Sequence, residues 1–292
     1  MTKSSKIVFF GSGPVATATL EALWPHFEFE AIITKPRAEG HHGSVPVLAF
    51  AQEHKAVMFT PKSKQELTDL IAQKHFSSAI GLVVDYGIII SKQVIDSFPR
   101  GIVNSHFSLL PEWRGADPIT FAVLSGQKQT GVSLMLIDER LDEGQLIAQQ
   151  TFTLPADITT PQLTRELVSL SNKMLIANIP KYLADDIKPF NQPNTVPVSY
   201  SRKLAKSDSA IDIKKSSTQI EREIRAYSGW PKSVMELFGH HAIIKQARVA
   251  QSQDDGALVV PCGNGTFLEI LQLTAPSGKT MSGADFMRGY KK

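Results

Sequence analysis

The sequence predicts an α/β domain built on a mostly parallel sheet, followed by a smaller β-rich domain, and three observations predict it. Short apolar runs alternate with helix-like stretches through the first hundred residues. A break rich in proline and asparagine follows a long helical pattern, and only short alternating runs lie beyond it. The length agrees: 292 residues, 42% hydrophobic and 20% charged, suit two domains at roughly 100–200 residues each.

The first strand is expected at Lys6–Phe10, a helix at Val15–Leu23 and a second strand at Phe29–Thr34, which is the βαβ rhythm. Further strands are expected at Ala56–Thr60, Ser78–Val84 and Gly101–Asn104, with helices at Lys64–Lys74 and Ser91–Asp96. Apolar strands spaced by helices imply a parallel sheet covered on both faces. Two β-rich runs follow, Thr130–Ile137 and Gln145–Phe152, separated by the acidic stretch Asp138–Gly144. The helical pattern from Thr160 to Leu183 opens on Thr160-Pro161, read as an N-cap with proline at the first helical position. Asp185–Pro197 carries Pro189, Asn191, Pro193, Asn194 and Pro197, and can continue neither a helix nor a central strand. The expected division is a domain over residues 1–188, a linker over 189–204 and a C-terminal domain over 205–292. In the latter, a helix near Ser217–Tyr227 precedes runs at Ala242–Val249, Ala257–Pro261 and Thr266–Leu273, a pattern compatible with a barrel. Met281, Phe286 and Met287 are expected in its core, and Trp230-Pro231 is expected to fix a turn packed on it.

Composition narrows the class. No run approaches the ~18 apolar residues of a bilayer span, and no apolar stretch of signal-peptide length follows the N-terminus, so a soluble cytoplasmic protein with no membrane partner is expected. Cys262 is the single cysteine, which excludes intramolecular disulfides and cysteine-based zinc cages. Residues 201–292 hold 14 Lys+Arg against 9 Asp+Glu, a charge of +5, and residues 1–200 hold 17 against 19, a charge of −2. A basic module behind a near-neutral one suggests an anionic partner at the C-terminal end.

Gly11-Ser-Gly13-Pro-Val-Ala16 follows the first strand and opens a helix, in the G-x-G-x-x-A form of the dinucleotide fingerprint. The acidic residue that should end the second strand is missing, since that strand ends Ile32-Ile33-Thr34-Lys35-Pro36. Pro14 also removes one backbone N–H that a phosphate would use. A tight strand-to-helix turn that only glycine can make is the alternative reading.

The chemistry concentrates at the end of the fifth expected strand. Asn104 and His106 lie two apart on extended chain, so their side chains project to one side at the carboxyl end of a strand, where open α/β sheets bind ligands. An amide can donate to a carbonyl oxygen and an imidazole can exchange a proton near neutrality, a pair suited to acyl-type transfer. A carboxylate to orient the ring is expected from Asp138, Glu139, Asp142 or Glu143. The other reading is a strand-end histidine and a solvated acidic turn.

The stretch "NSHFSLLPEWRGADP" from Asn104 to Pro118 resembles the Asn-x-His-x-Ser-Leu-Leu-Pro-x-x-Arg-Gly-x-x-Pro signature of the formyltransferases that use 10-formyltetrahydrofolate. Leu141-Asp142-Glu143-Gly144 is similar to that family's Leu-Asp-x-Gly, and "IRAYSGWP" at 224–231 and "PSGKTMSGADFMRGY" at 276–290 resemble the C-terminal domain of the methionyl-tRNA formyltransferases. The resemblance implies a Rossmann-like catalytic domain followed by an OB-like, tRNA-binding barrel. It implies Asn104, His106 and Asp142 as the catalytic set, with Asn104 and a protonated His106 as donors to the oxygen that gains charge. For the folate it implies Ser108, Leu109, Leu110 and Pro111, with Asp85, Tyr86, Gly87 and Ile88 from a second loop. For tRNA it implies Lys35, Arg37, His41 and His42 in the loop after the second strand, with Lys203 and Lys206 and further basic residues such as Arg222, Arg225, Lys245 and Arg248. The implied reaction moves a formyl group to the α-amine of initiator methionyl-tRNA, with no metal, in a monomer. The segment at 35–43 is shorter than the family's basic loop, Asp85 stands where the family has a small apolar residue, and Phe107 where it has a small one. The competing acceptor is a nucleotide-linked amino sugar. From other classes, the glycine turn alone suggests a nicotinamide-dependent oxidoreductase, and the basic C-terminus alone a cofactor-free tRNA-binding module.

Overall fold

The computed structural model describes residues 5–37, 45–253 and 256–291, and it divides the chain into two units. His41 and His42 lie outside the described residues. In chain order the elements are β1 (Lys6–Gly11), α1 (Gly13–Leu23), β2 (Glu28–Ile33), α2 (Pro46–Glu53), β3 (Met58–Phe59), α3 (Lys64–Lys74), β4 (Ile80–Val84), α4 (Lys92–Asp96), β5 (Ile102–His106), β6 (Arg114–Gly115), α5 (Pro118–Ser125), β7 (Gln129–Leu136), β8 (Leu146–Thr153) and α6 (Thr160–Leu183). They continue with β9 (Tyr200–Ser201), α7 (Ser217–Ala226), β10 (Ser233–Leu237), β11 (His240–Ala250), β12 (Val259–Cys262), β13 (Thr266–Thr274), β14 (Thr280–Ser282) and α8 (Gly283–Tyr290).

The first unit comprises residues 1–114, 131–152 and 166–200. Its seven-stranded sheet has the order β3-β2-β1-β4-β5-β7-β8 and is parallel from β3 to β5, with β7 antiparallel to β5. This is the expected Rossmann-like α/β sheet. Burial explains the apolar runs: β1 is buried from Ile7 to Gly11 and all of β4 is buried, as strands covered on both faces must be. Val8, Phe10, Ala31 and Ile33 pack on one face with Leu67 and Ile71 of α3, Val94 of α4 and Phe98 just beyond α4. Helix α3 starts where Ser63 Oγ accepts from Glu66 N at 3.2 Å, while Glu66 Oε2 accepts from Lys62 N at 2.8 Å.

Three local readings need correction. Helix α2 went unread because its eight residues begin on Val45-Pro46 without a polar cap. Thr159, not Thr160, caps α6: its carbonyl accepts from Leu163 N at 2.9 Å, and Gln162 Oε1 reaches back to Thr159 N and Oγ1 at 2.9 and 2.7 Å. That is a capping arrangement one residue earlier than the Thr-Pro pair suggested. In the segment read as a linker, residues through Tyr200 lie on the first unit: Phe190 and Leu146 exchange backbone bonds at 2.7 and 2.9 Å, and Ser199 O accepts from Arg114 N at 2.9 Å.

The second unit comprises residues 115–130, 153–165 and 201–292, so it takes two segments from inside the stretch assigned by sequence to the first domain. Its sheet is antiparallel, in the order β10-β11-β13-β12, with β14 also pairing with β13. Register shifts between Ile244 and Ala247 curl the long β11 in the OB-like manner. The core holds Ile220 and Ile224 of α7, Leu268 and Ile270 of β13 and Phe286 of α8. Met281 packs against this core, while Met287 is half-buried. Trp230-Pro231 lies in the turn between α7 and β10, closed by Lys232 N donating to Tyr227 O at 2.9 Å, with the Trp230 side chain 53% exposed.

Candidate active site

Strand β1 has β2 on one side and β4 on the other, so the chain reverses its winding there, and the crevice of such a sheet opens at the strands' carboxyl ends. Three loops leave that edge. The first, after β1, is the glycine turn. Gly13 has φ +80, and a Cβ at Gly11 would lie 2.7 Å from Ala16 Cβ and 2.8 Å from Val84 O, so both glycines are required by the turn itself. Ser12 N donates to Asp85 O at 2.9 Å, which ties this turn to the loop after β4.

The loop after β4 carries Asp85, Tyr86, Gly87 and Ile88. Asp85 and Gly87 are exposed and Ile88 is half-buried. Tyr86 points the other way: its ring packs on Phe10 at 5.7 Å between centroids and is 2% exposed. Among the described residues its hydroxyl has no hydrogen-bond partner, and burial pushes the phenol well above its ordinary range. The ring therefore belongs to the core and leaves only the Tyr86 backbone for the loop.

The loop after β5 begins with the polar pair. Val83 is in register with Asn104, and His106 with Ser133, so both polar residues sit at the end of a central strand. The pleat separates them from Ser105, whose hydroxyl meets Ser171 of α6 at 2.6 Å on the opposite face. Asn104 is half-buried and His106 is 5% exposed. His106 Nε2 lies 3.0 Å from Trp113 O, and its Nδ1 lies 3.8 Å from Asp142 Oδ2. The structure thus brings His106 and Asp142 together across 36 positions of sequence.

A carbonyl oxygen only accepts, so the nitrogen facing Trp113 carries the hydrogen, and in the neutral ring Nδ1 keeps its lone pair toward Asp142. Burial is the largest influence on His106 and lowers its pKa, against the Asp142 carboxylate and the Trp113 carbonyl, which raise it. A proton arriving at Nδ1 would sit beside the carboxylate, so the arrangement suits a base better than a resting acid.

The Ser-Leu-Leu-Pro segment is pinned from below. Ser133 Oγ donates to Ser108 O at 2.7 Å and accepts from Leu110 N at 3.0 Å, and Gln149 Nε2 donates to Leu110 O at 2.9 Å. Ser108 Oγ donates to Glu112 O. Ser108, Leu110 and Pro111 are buried and Phe107 is 8% exposed, whereas Leu109 is half-buried. The edge therefore presents Leu109 and Ile88 as apolar surface, flanked by exposed Asp85 and Gly87. Apolar side chains beside polar groups suit a flat heteroaromatic ring with polar edges.

Of the basic residues, Lys35, Arg37, Lys203, Lys206 and Lys245 are exposed. Arg222, Arg225 and Arg248 have partners within the second unit: Arg222 Nη1 donates to Ser125 O at 3.3 Å, Arg225 pairs with Glu221 at 2.6 Å, and Arg248, still 66% exposed, pairs with Glu269 at 2.7 Å. The sequence also gave no signal for the Trp113 carbonyl or for Ser133 and Gln149 as supports, because their roles arise only from folding. Among the described residues, no cluster of three or more His, Cys, Asp or Glu could hold a metal ion, and no helix is long and apolar enough to cross a membrane.

Comparison with known proteins covers both halves. Residues 6–179 match the formyl transferase family and residues 203–291 its C-terminal domain. A methionyl-tRNA formyltransferase of Methylococcus capsulatus is 34% identical, with 98% of this chain and 97% of that protein aligned. Another, from Pseudoalteromonas translucida, is 32% identical over 99% of this chain and 95% of its own length. Among solved structures, an N-formyltransferase from Helicobacter canadensis in complex with folinic acid and dTDP-3-aminofucose superposes with a TM-score of 0.70 at 20% identity, covering 92% of this chain and 99% of that one. HypX from Aquifex aeolicus in complex with tetrahydrofolic acid superposes with a TM-score of 0.66 at 14% identity, over 99% of this chain and 48% of its own. At these identities the two superpositions speak for the fold.

Proposed function

Because this chain belongs to the formyl transferase family, we propose that it formylates the α-amine of methionine on initiator methionyl-tRNA, using 10-formyltetrahydrofolate as donor. The observation that carries the chemistry is the His106–Asp142 approach at 3.8 Å beside Asn104, at the carboxyl edge of β5. Similarity to methionyl-tRNA formyltransferases along nearly the whole chain supports the acceptor.

Leu109, Ile88, Asp85 and Gly87 would hold the folate, with Tyr86 packed in the core beneath that loop and Ser108, Leu110 and Pro111 shaping the turn behind Leu109. The bound folate supplies a formyl carbon open to attack by an amine. The Asn104 amide donates to the oxygen at which negative charge develops, a contribution typically of ~2.7–4 kcal/mol for one fixed donor. His106 accepts the amine's proton at Nδ1, and Asp142 stabilises the resulting imidazolium. The imidazolium then returns that proton to the departing nitrogen. The exposed Lys35, Arg37, Lys203 and Lys206 would meet tRNA phosphates, with His41 and His42 as further candidates; phosphate contacts position the tRNA without reading bases. The same reading makes the protein a cytoplasmic monomer, divided near residues 189–204 into catalytic and tRNA-binding domains.

The test is transfer of radiolabelled formyl to charged initiator tRNA by the parent, His106→Ala and Asp142→Asn. Both variants should lose transfer while binding tRNA within a few-fold of the parent. Near-full activity of His106→Ala would show that the site is misassigned. Binding to tRNA should also weaken linearly with salt on a log-log plot, and a flat response would favour the amino-sugar acceptor.

A further inference from the structure

Asp142 is not held by its own strand. It has φ +51 in the turn between β7 and β8, a left-handed conformation that aspartate adopts more readily than most residues. The turn is held from outside by the segment that follows α6. Phe190 pairs with Leu146 through both backbone groups, and Asn191 Oδ1 accepts from Gln145 Nε2 at 3.1 Å. Gln192 comes next, and its Nε2 donates to Asp142 O at 2.7 Å and to Gly144 O at 3.1 Å. Its Oε1 accepts from Arg114 Nη2 at 2.8 Å. The other arm of the same guanidinium, Nη1, pairs with Glu143 Oε1 at 3.0 Å, and the Arg114 side chain is only 10% exposed.

We infer that Gln192, oriented by Arg114, is a positioning residue that sets the distance from the Asp142 carboxylate to His106. This rests on the reading of Asp142 as the carboxylate partner of His106. One amide spans the carbonyls on either side of Glu143, while the Arg114 fork grips both that amide and the Glu143 carboxylate. Residues 142, 143 and 144 are thereby each held by a polar bond from outside the loop. The arrangement couples the segment after α6 to the chemistry: any displacement of residues 190–192 moves the backbone on which Asp142 is carried. Arg114 is suited to this because its planar fork makes two directed bonds that a lysine cannot.

The test compares Gln192→Ala, Gln192→Met and Arg114→Lys with the parent, alone and combined with Asp142→Asn. Gln192→Met keeps the side chain's length and removes both donors, so it guards against a cavity effect. The expected result is a kcat lower by about 10- to 100-fold with the KM for the folate within twofold. In single-turnover transfer at high enzyme concentration, which reads the residual rate left in Asp142→Asn, the loss should vanish, because a residue acting only through Asp142 has nothing left to position. Backbone amide exchange in residues 138–146 of the protein without substrates should become faster in each Gln192 variant. Unchanged exchange, an unchanged kcat, or a full additional loss on top of Asp142→Asn would overturn the assignment. Full activity of Asp142→Asn alone would overturn the reading of the carboxylate itself, and is seen in that single variant before any combination is made.

Discussion

Gly144→Ala gives a sharp test of how tightly the carboxylate is placed. A Cβ at position 144 would lie 1.7 Å from Leu136 O and 2.9 Å from Leu136 C. Heavy atoms rest at about 3.5 Å, so the backbone must give by on the order of 1.5–2 Å. Leu136 is the less mobile partner, being paired with Val103 in the central sheet and donating its N–H to Gln145 O at 2.8 Å. The displacement therefore falls on the acidic turn, two residues from Asp142. Misplacement of a reacting group by about 1 Å can cost on the order of 10²-fold in rate, which is about 2.7 kcal/mol of barrier. Single-turnover formyl transfer should fall by about that factor, with a thermal transition lowered by the equivalent of roughly 1–3 kcal/mol. Gly289→Ala is the control, since a Cβ there meets nothing within 4 Å. A folded Gly144→Ala protein transferring formyl within threefold of the parent would refute the premise that the turn's position sets the rate.

Three other outcomes follow from the same geometry. Asn104→Ala should lower kcat by on the order of 10²–10³ while folate binding, followed by fluorescence titration, stays within a few-fold; an unchanged kcat would remove the amide from the reaction. Tyr86→Phe removes a buried hydroxyl that has no partner, so it should leave stability unchanged or raise it by about 1 kcal/mol, as read from urea midpoints, whereas a clear loss would reveal a role for the phenol. Burial alone would raise the Glu30 carboxyl, but the Ser78 and Ser77 hydroxyl and backbone donors hold it down at about 2 against an ordinary 4.5. Its stabilising effect is therefore complete above pH 4.5 and lost as pH falls toward 2, so Glu30→Gln should cost about 1–3 kcal/mol at pH 7 with the gap narrowing in acid. A gap constant from pH 7 to pH 3 would contradict this.

What could be read from the sequence was whatever is encoded by local pattern. The buried strands β1 and β4 show as apolar runs, α3 shows as the helical pattern from Lys64 to Lys74, and the two-residue spacing of Asn104 and His106 places both on one side of β5. Tyr86 shows the limit: adjacency to exposed Asp85 and Gly87 says nothing about which way a ring turns, and the tyrosine went to the core. The surroundings of His106 were equally hidden, because its burial and its approach to the Trp113 carbonyl exist only after folding. Arg225, one of the basic residues of the C-terminal domain, pairs with Glu221 four residues before it on α7, a contact that exists only once the helix forms. Gln192, in a segment whose prolines suggest only a tether, gave no signal, since its partners lie some fifty and eighty residues away.

The decisive measurement sets the two acceptors side by side: 10-formyltetrahydrofolate, charged initiator tRNA and a nucleotide-linked amino sugar are offered to the full chain, and the formylated product is identified by mass. Formylmethionyl-tRNA as the product, lost in His106→Ala and in Asp142→Asn, is what the structure and its relatives lead us to expect. Formyl appearing on the sugar alone, or on methionyl-tRNA at an undiminished rate in either variant, would contradict it.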